Sequence, residues 1–220
     1  MRIDVPVFKQ SNELGCGPTA LSMILNFYGI KLYEQDILKK VKIIRDKKLK
    51  KYGTFMVELA LFARKLGCDV HCSSYSLELY RPEMILLRKE KLTRKILNIL
   101  AKTKNQTHKR ILQSTIDLMK AGGKFKLEMP SLNKVREFLN HKIPVMLAVK
   151  SVILFEKGRL SSSGHFIVLT GYDQNKFYYN DPWDGKRKEI SSEKLFFALS
   201  NNVIHSSAYL IAARSPSNLK

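Results

Sequence analysis

Between Pro18 and Gly29 the chain holds a segment that must be a helix and must be buried. Ala20, Leu21, Ile24, Leu25 and Tyr28 recur at helical spacing, and Met23 and Phe27 widen the apolar stripe almost all the way round. Pro18 suits a first helical turn and Gly29 a C-terminal stop. The rest of the fold has to be arranged around this helix. Its entrance is Gly15-Cys16-Gly17, so a thiol sits where unpaired N–H groups and the helix dipole favour a thiolate. The flanking glycines leave room for a substrate backbone to approach the sulfur. A lone cysteine at such a place is often an inert core residue, and its partners decide the matter.

The first half of the chain reads as mainly helical. A second helix is expected over Tyr33–Val41. Phe55, Leu59, Phe62, Ala63 and Leu66 mark a third, stopped by Gly67 and followed by a short strand near Cys68–Ser73. From Pro82 to Glu128 the composition changes: residues 81–128 carry thirteen Lys or Arg against four Asp or Glu. Ile85, Leu86, Leu92, Ile96, Leu97 and Leu100 suit one amphipathic helix, and Ile111, Leu112, Thr115, Ile116 and Met119 another, with a polar turn at Thr103–Thr107. This is a helical hairpin inserted in a domain, too small for a core of its own, and closed by Gly122-Gly123. Ser131 caps a further helix. The period then changes to strands at Pro144–Val149, His165–Tyr172, Lys176–Asn180, Arg187–Ile190 and Ala208–Ala213, with one helix near Glu193–Leu199. Helices first and an antiparallel sheet second is an α+β arrangement, with Ser215–Lys220 as an unstructured tail.

Cys16 finds its partners in the second half. His165 is the polar residue at the mouth of an apolar strand, after a loop of three serines and Gly164. The return strand ends at Asp181-Pro182. A hairpin folded about Gln174, within the turn Asp173-Gln174-Asn175, puts His165 opposite or diagonal to Asp181. The even separation keeps both on one face if no bulge intervenes. A carboxylate there holds the tautomer of the imidazole and stabilises the imidazolium. Asn180 is a rival third group, but strand alternation points it to the opposite face, so Asp181 is preferred. Gln10, six residues before Cys16, is the fourth candidate. Its side-chain amide, with the backbone N–H of Cys16, is suited to hold the oxyanion of a tetrahedral intermediate.

Composition bounds what else the chain can be. Hydrophobic residues make up 45% and charged ones 26%, which suits a packed domain and not a disordered chain. Apolar runs such as Ile143–Val149 are too short to span a bilayer, and the first residues lack the apolar core of a secretory signal. Three unevenly spaced cysteines argue against a disulfide framework and for a reducing, cytoplasmic setting. Cys68, His71 and Cys72 lack a fourth ligand at zinc spacing, so no metal is expected. His108, His141 and His205 read as surface residues, and Trp183 as a packing or cleft-wall residue. The net charge of +20 favours acidic polypeptides, nucleic acid or anionic surfaces as partners. Lysines filling exposed helical positions account for such a surplus too.

Taken together, Val5-Pro6, Gln10, Gly15-Cys16-Gly17-Pro18-Thr19-Ala20-Leu21 and Asn26-Phe27-Tyr28-Gly29 resemble the C39 and C39-like peptidases of the papain-type clan. His165 to Asp173, Asn180-Asp181-Pro182, Gly53-Thr54 and Pro144-Val145 extend the resemblance over most of the chain except about residues 81–128. It implies a single papain-like domain over residues 1–214, with Gln10 as oxyanion donor, Cys16 as nucleophile, His165 as base and Asp181 as its orienter. No cofactor is implied. The best-known members are fused to membrane exporters and cut leader peptides after paired glycines. This chain is closer to the stand-alone members, so leader cleavage does not carry over. Three functions stay open: a cysteine peptidase acting on a peptide or isopeptide bond, a transglutaminase-like acyl transferase using the same thioester, and a retired basic domain that binds nucleic acid or an acidic partner.

Overall fold

The computed structural model describes residues 2–41, 43–46, 51–85, 87–155, 164–203 and 206–215. Leu86, the serines at 161–163, His205 and positions 216–220 of the expected tail lie outside the described residues. The apolar segment forms α1 (Cys16–Phe27), in which every residue from Gly17 to Leu25 is buried. Pro18 falls within the first turn, where its missing N–H costs no hydrogen bond. Gly29 follows the helix with φ of +80°, a backbone region that glycine enters without steric cost. Each of the fully buried Leu21, Ile24 and Leu25 contributes about 1.5–3 kcal/mol by leaving water.

Around α1 stand α2 (Glu34–Leu38), a two-stranded ribbon of β1 (Ile44–Asp46) and β2 (Lys51–Gly53), and α3 (Met56–Lys65). Next come β3 (Asp69–Ser74), the hairpin of α4 (Lys89–Lys102) and α5 (Gln106–Lys120), and β4 (Lys124–Leu127). The second half holds α6 (Leu132–Asn140), β5 (Val145–Lys150), the short α7 (Ser151–Leu154), β6 (Gly164–Tyr172), β7 (Lys176–Asp181), β8 (Lys186–Ser191), α8 (Ser192–Val203) and β9 (Leu210–Arg214). Seven strands form one sheet in the order β4-β3-β9-β5-β6-β7-β8. The architecture is α+β, as expected. Among the described residues no helix is long and apolar enough to cross a membrane.

The region 81–128 departs from a simple hairpin. Its last residues, Lys124-Phe125-Lys126-Leu127, alternate exposed and buried and pair with β3 in parallel, so the sheet is not wholly antiparallel. The first helix starts later than expected, after a 3-10 turn at Pro82–Met84, and the second starts at Gln106, within the expected turn. Ile96, Ile111 and Ile116 are fully buried, because α5 packs on α3 and merges its apolar face with the main core. Arg110 forks onto Glu58 of α3 and joins the two helices by a charged pair. The helix expected over Tyr33–Val41 is shorter, with Tyr33 as its extended N-cap. The β1–β2 ribbon was not expected at all.

Two details of the β6–β7 hairpin bear on the site. The turn is tighter than expected: Asp173 pairs with Lys176 through its backbone N–H, leaving Gln174 and Asn175 at the tip. The Asp173 carboxylate accepts the N–H groups of Asn175 and Lys176, which fixes this turn. From the turn, Tyr172 faces Phe177 and Gly171 faces Tyr178. Beyond Thr170 the register slips, so that Leu169 faces Tyr179 and Val168 faces Asn180. Thr170 is therefore a bulge. Its carbonyl, turned out of the ladder, accepts the N–H of Ile3 at 2.6 Å. Asn180 holds the same N-terminal strap by donating to the carbonyls of Val5 and Pro6 at 3.0 and 3.2 Å.

Candidate active site

The bulge decides where two of the four candidates meet. In the register set by the turn, Asp181 would oppose Val168, and His165, three residues on, would point to the other face. The slip at Thr170 moves Asp181 opposite Ile167, so His165 becomes its same-face diagonal neighbour. The expectation of one shared face without a bulge is corrected here: the shared face depends on the bulge, which compensates for the tighter turn. The outcome is a hydrogen bond of 2.8 Å from His165 Nε2 to Asp181 Oδ1, with both side chains buried.

Nε2 being engaged, Nδ1 is the ring nitrogen left for Cys16, whose sulfur is close enough to act on the proton affinity of the imidazole. Burial works against a charged imidazole. Hydrogen bonds to Asp181 and Cys16, and the negative charge on both, outweigh burial and raise the His165 pKa to about 9. Asp181 is wholly buried, which alone would raise its pKa. The contacts with His165, the Lys188 ammonium and the Trp183 backbone instead lower it to about 2. Lys188 Nζ lies 2.7 Å from Asp181 Oδ2, and the Trp183 N–H donates to Oδ1 at 3.0 Å. Asn180, turned to the N-terminal strap, does not reach the imidazole.

Gln10 arrives by the same strap, whose end is tied down when the Gln10 N–H donates to the Pro182 carbonyl at 2.7 Å. Its Nε2 donates to the Asn12 carbonyl at 2.6 Å, and that carbonyl also accepts the Gly15 N–H at 3.1 Å. The second Nε2 hydrogen stays available, and so do the first N–H groups of α1, which have no acceptor within the helix. Among the described residues buried Gln10 Oε1 has no hydrogen-bond partner. Turning the amide over would set Oε1 against the Asn12 carbonyl, so the orientation follows from the contacts.

Gly17 shows how tightly α1 is seated. A Cβ there would come within 2.2 Å of Thr54 Oγ1 and 3.0 Å of Leu59 and Phe166 side-chain carbons. The other two cysteines are poor nucleophiles: burial raises the Cys68 thiol to about 11 and raises that of Cys72 further. Cys16 is half-buried. His71 of the Cys68–Cys72 cluster contacts Ser73 Oγ and Glu128 at 3.0 and 3.2 Å. His108, expected as a surface residue, is half-buried and faces Glu78 at 3.8 Å.

Three residues of the site were not foreseen. Lys188 is two positions along from the residue opposite Asp181, a relation visible only once the β7–β8 register is known. Phe155 lays its ring 5.7 Å from that of His165 and 6.1 Å from that of Trp183, so Trp183 belongs to an aromatic wall beside the imidazole. Glu34, expected only as part of a second helix, is buried against the loop that carries Gln10 and Cys16.

Two solved structures are similar along almost the whole chain. One, assigned as a C39-like peptidase from Bacillus anthracis, is 14% identical with a TM-score of 0.49 and 98% of each chain covered. The other is a double glycine motif protease from an AMS/PCAT transporter in complex with the leader peptide. It is 16% identical with a TM-score of 0.49, covering 97% of this chain and 94% of that one. No curated protein matches the sequence. The model of the Peptidase_C39 like family matches residues 2–208, and the chain belongs to that family.

Proposed function

We propose that this protein is a cysteine peptidase that hydrolyses a peptide or isopeptide bond. The observation that carries the reading is the chain of contacts Cys16–His165–Asp181 at the start of a buried helix, with the His165–Asp181 bond at 2.8 Å. The Cys16 thiolate attacks the substrate carbonyl carbon, and the oxyanion formed is held by Gln10 Nε2 and the Cys16 N–H. As the C–N bond breaks, the His165 imidazolium gives its proton to the leaving amine. The imidazole then takes a proton from water, whose oxygen attacks the thioester, and the acid and the thiol are released. No cofactor enters this sequence.

The test is alkylation by iodoacetamide, read by mass spectrometry of peptides. Cys16 is expected to react well before Cys68 and Cys72, and His165→Ala is expected to slow it to the rate of an ordinary thiol. Equal labelling of all three cysteines, or labelling of Cys16 untouched by His165→Ala, would overturn the reading.

The substrate class is an acidic polypeptide. Lys91, Arg94, Lys95 and Lys102 share the exposed face of α4, and among the described residues none of them has an ion-pair partner. Such a face attracts anionic chains over about a Debye length. Reversing Lys91, Arg94 and Lys95 to glutamate is expected to raise KM for a Glu-rich substrate on the order of tenfold at low salt, and much less at high salt. A KM that ignores both salt and the reversal would remove α4 from substrate capture.

A further inference from the structure

We propose that Glu34 is a positioning residue for the oxyanion site, an assignment that rests on the thiol-peptidase reading above. Glu34 is the first residue of α2, and its buried carboxylate is turned back onto the loop between Gln10 and Cys16. Oε1 accepts from Ser11 Oγ at 2.9 Å and Asn12 Nδ2 at 2.8 Å. Oε2 accepts from the Ser11 N–H at 2.7 Å and from Thr19 Oγ1, on α1 itself, at 3.0 Å. One side chain thus ties the loop to the catalytic helix through both of its oxygens.

What the clamp holds is the Asn12 carbonyl, the acceptor shared by Gln10 Nε2 and the Gly15 N–H. The orientation of the Gln10 amide and the entry of the chain into Cys16 are set together at that one oxygen. Gly15 is part of the same fit, because a Cβ there would lie 2.2 Å from Glu34 Oε1. A negative charge on this loop does nothing to favour a thiolate, so the use of Glu34 is geometric: it keeps two oxyanion donors in place.

Glu34→Gln tests this with almost no change of volume. Each carboxylate oxygen faces one partner that is only a donor, Asn12 Nδ2 at Oε1 and the Ser11 N–H at Oε2. Whichever way the new amide is turned, its NH2 group meets a donor and the clamp opens. The expected result is a fall in kcat on the order of a hundredfold with KM within about twofold, the size seen when one oxyanion donor is lost. Alkylation of Cys16 by iodoacetamide, which forms no oxyanion, is expected to be as fast as in the parent protein or faster. If Glu34→Gln does not fold, Ser11→Ala, which removes a single donor from an exposed residue, carries the same test with a smaller loss of kcat. Unchanged kcat, or acylation and alkylation slowed in parallel, would overturn the assignment. A parent protein that neither hydrolyses peptides nor alkylates at Cys16 would instead overturn the peptidase reading.

Discussion

Cys16→Ala is expected to abolish hydrolysis, with kcat falling on the order of a millionfold against a fluorogenic peptide. The size of the loss follows from the absence of a substitute among the described thiols. Cys68 and Cys72 are fully buried, and burial holds both in the thiol form. His165 and Asp181 remain in the variant, but with no sulfur to receive the acyl group they act only on water. Alanine is a good helix former and Cys16 is only half-buried, so thermal stability is expected to stay close to that of the parent. The variant therefore separates chemistry from folding. It also separates the peptidase from a retired basic binding domain, for which Cys16→Ala would leave function intact and added salt would remove it. Retention of more than about a hundredth of the parent activity would exclude Cys16 as the nucleophile.

The helix that houses Cys16 was legible because several independent signals agree on it: apolar spacing, Pro18 in the first turn and Gly29 after the end. The pairing of His165 with Asp181 was legible only by parity, and it was reached by two differences that offset each other. The turn tip holds Gln174 and Asn175 alone, and Thr170 bulges. Nothing local marks Thr170, since threonine is an ordinary strand residue. The bulge is held from a distance, by the strap whose Ile3 takes the freed carbonyl. β4 shows the opposite case: Lys124-Phe125-Lys126-Leu127 alternates plainly, yet four residues beside a long helical stretch give too short a period to separate from a helix end. Glu34 and Lys188 were invisible for a third reason. In a chain with 39 basic and 19 acidic side chains, one more charged residue on a short helix or an edge strand looks like surface. What makes each matter is a contact with a residue that the sequence separation hides: Glu34 with Ser11, Lys188 with Asp181.

Asp181→Asn is expected to act on both rate and pH dependence. In the parent protein Asp181 and Cys16 hold His165 protonated up to about pH 9 against the cost of burial. The imidazolium is the proton donor to the leaving amine, so kcat/KM is expected to fall as pH rises through about 9. Asparagine keeps a hydrogen-bond acceptor for Nε2 and removes the charge. The alkaline limb then moves down towards the ordinary imidazole range, and kcat at neutral pH falls by about 10³- to 10⁴-fold. The sign for stability is separate. His165 is raised from 6.5 to about 9, so its contribution is complete below pH 6.5 and is lost as pH climbs through 9. Asp181 is lowered from 3.8 to about 2, so its contribution is complete above pH 3.8 and is lost as pH falls through 2. The difference in melting temperature between parent and variant should therefore be widest between pH 3.8 and 6.5 and narrower above pH 9. Above pH 9 it does not vanish, because Lys188 still pairs with the parent carboxylate at 2.7 Å and in the variant keeps Asp184, at 2.9 Å, but loses this second charge. A pH–rate profile with the same alkaline limb in both proteins would show that Asp181 does not govern the proton on His165, whatever the distance between them.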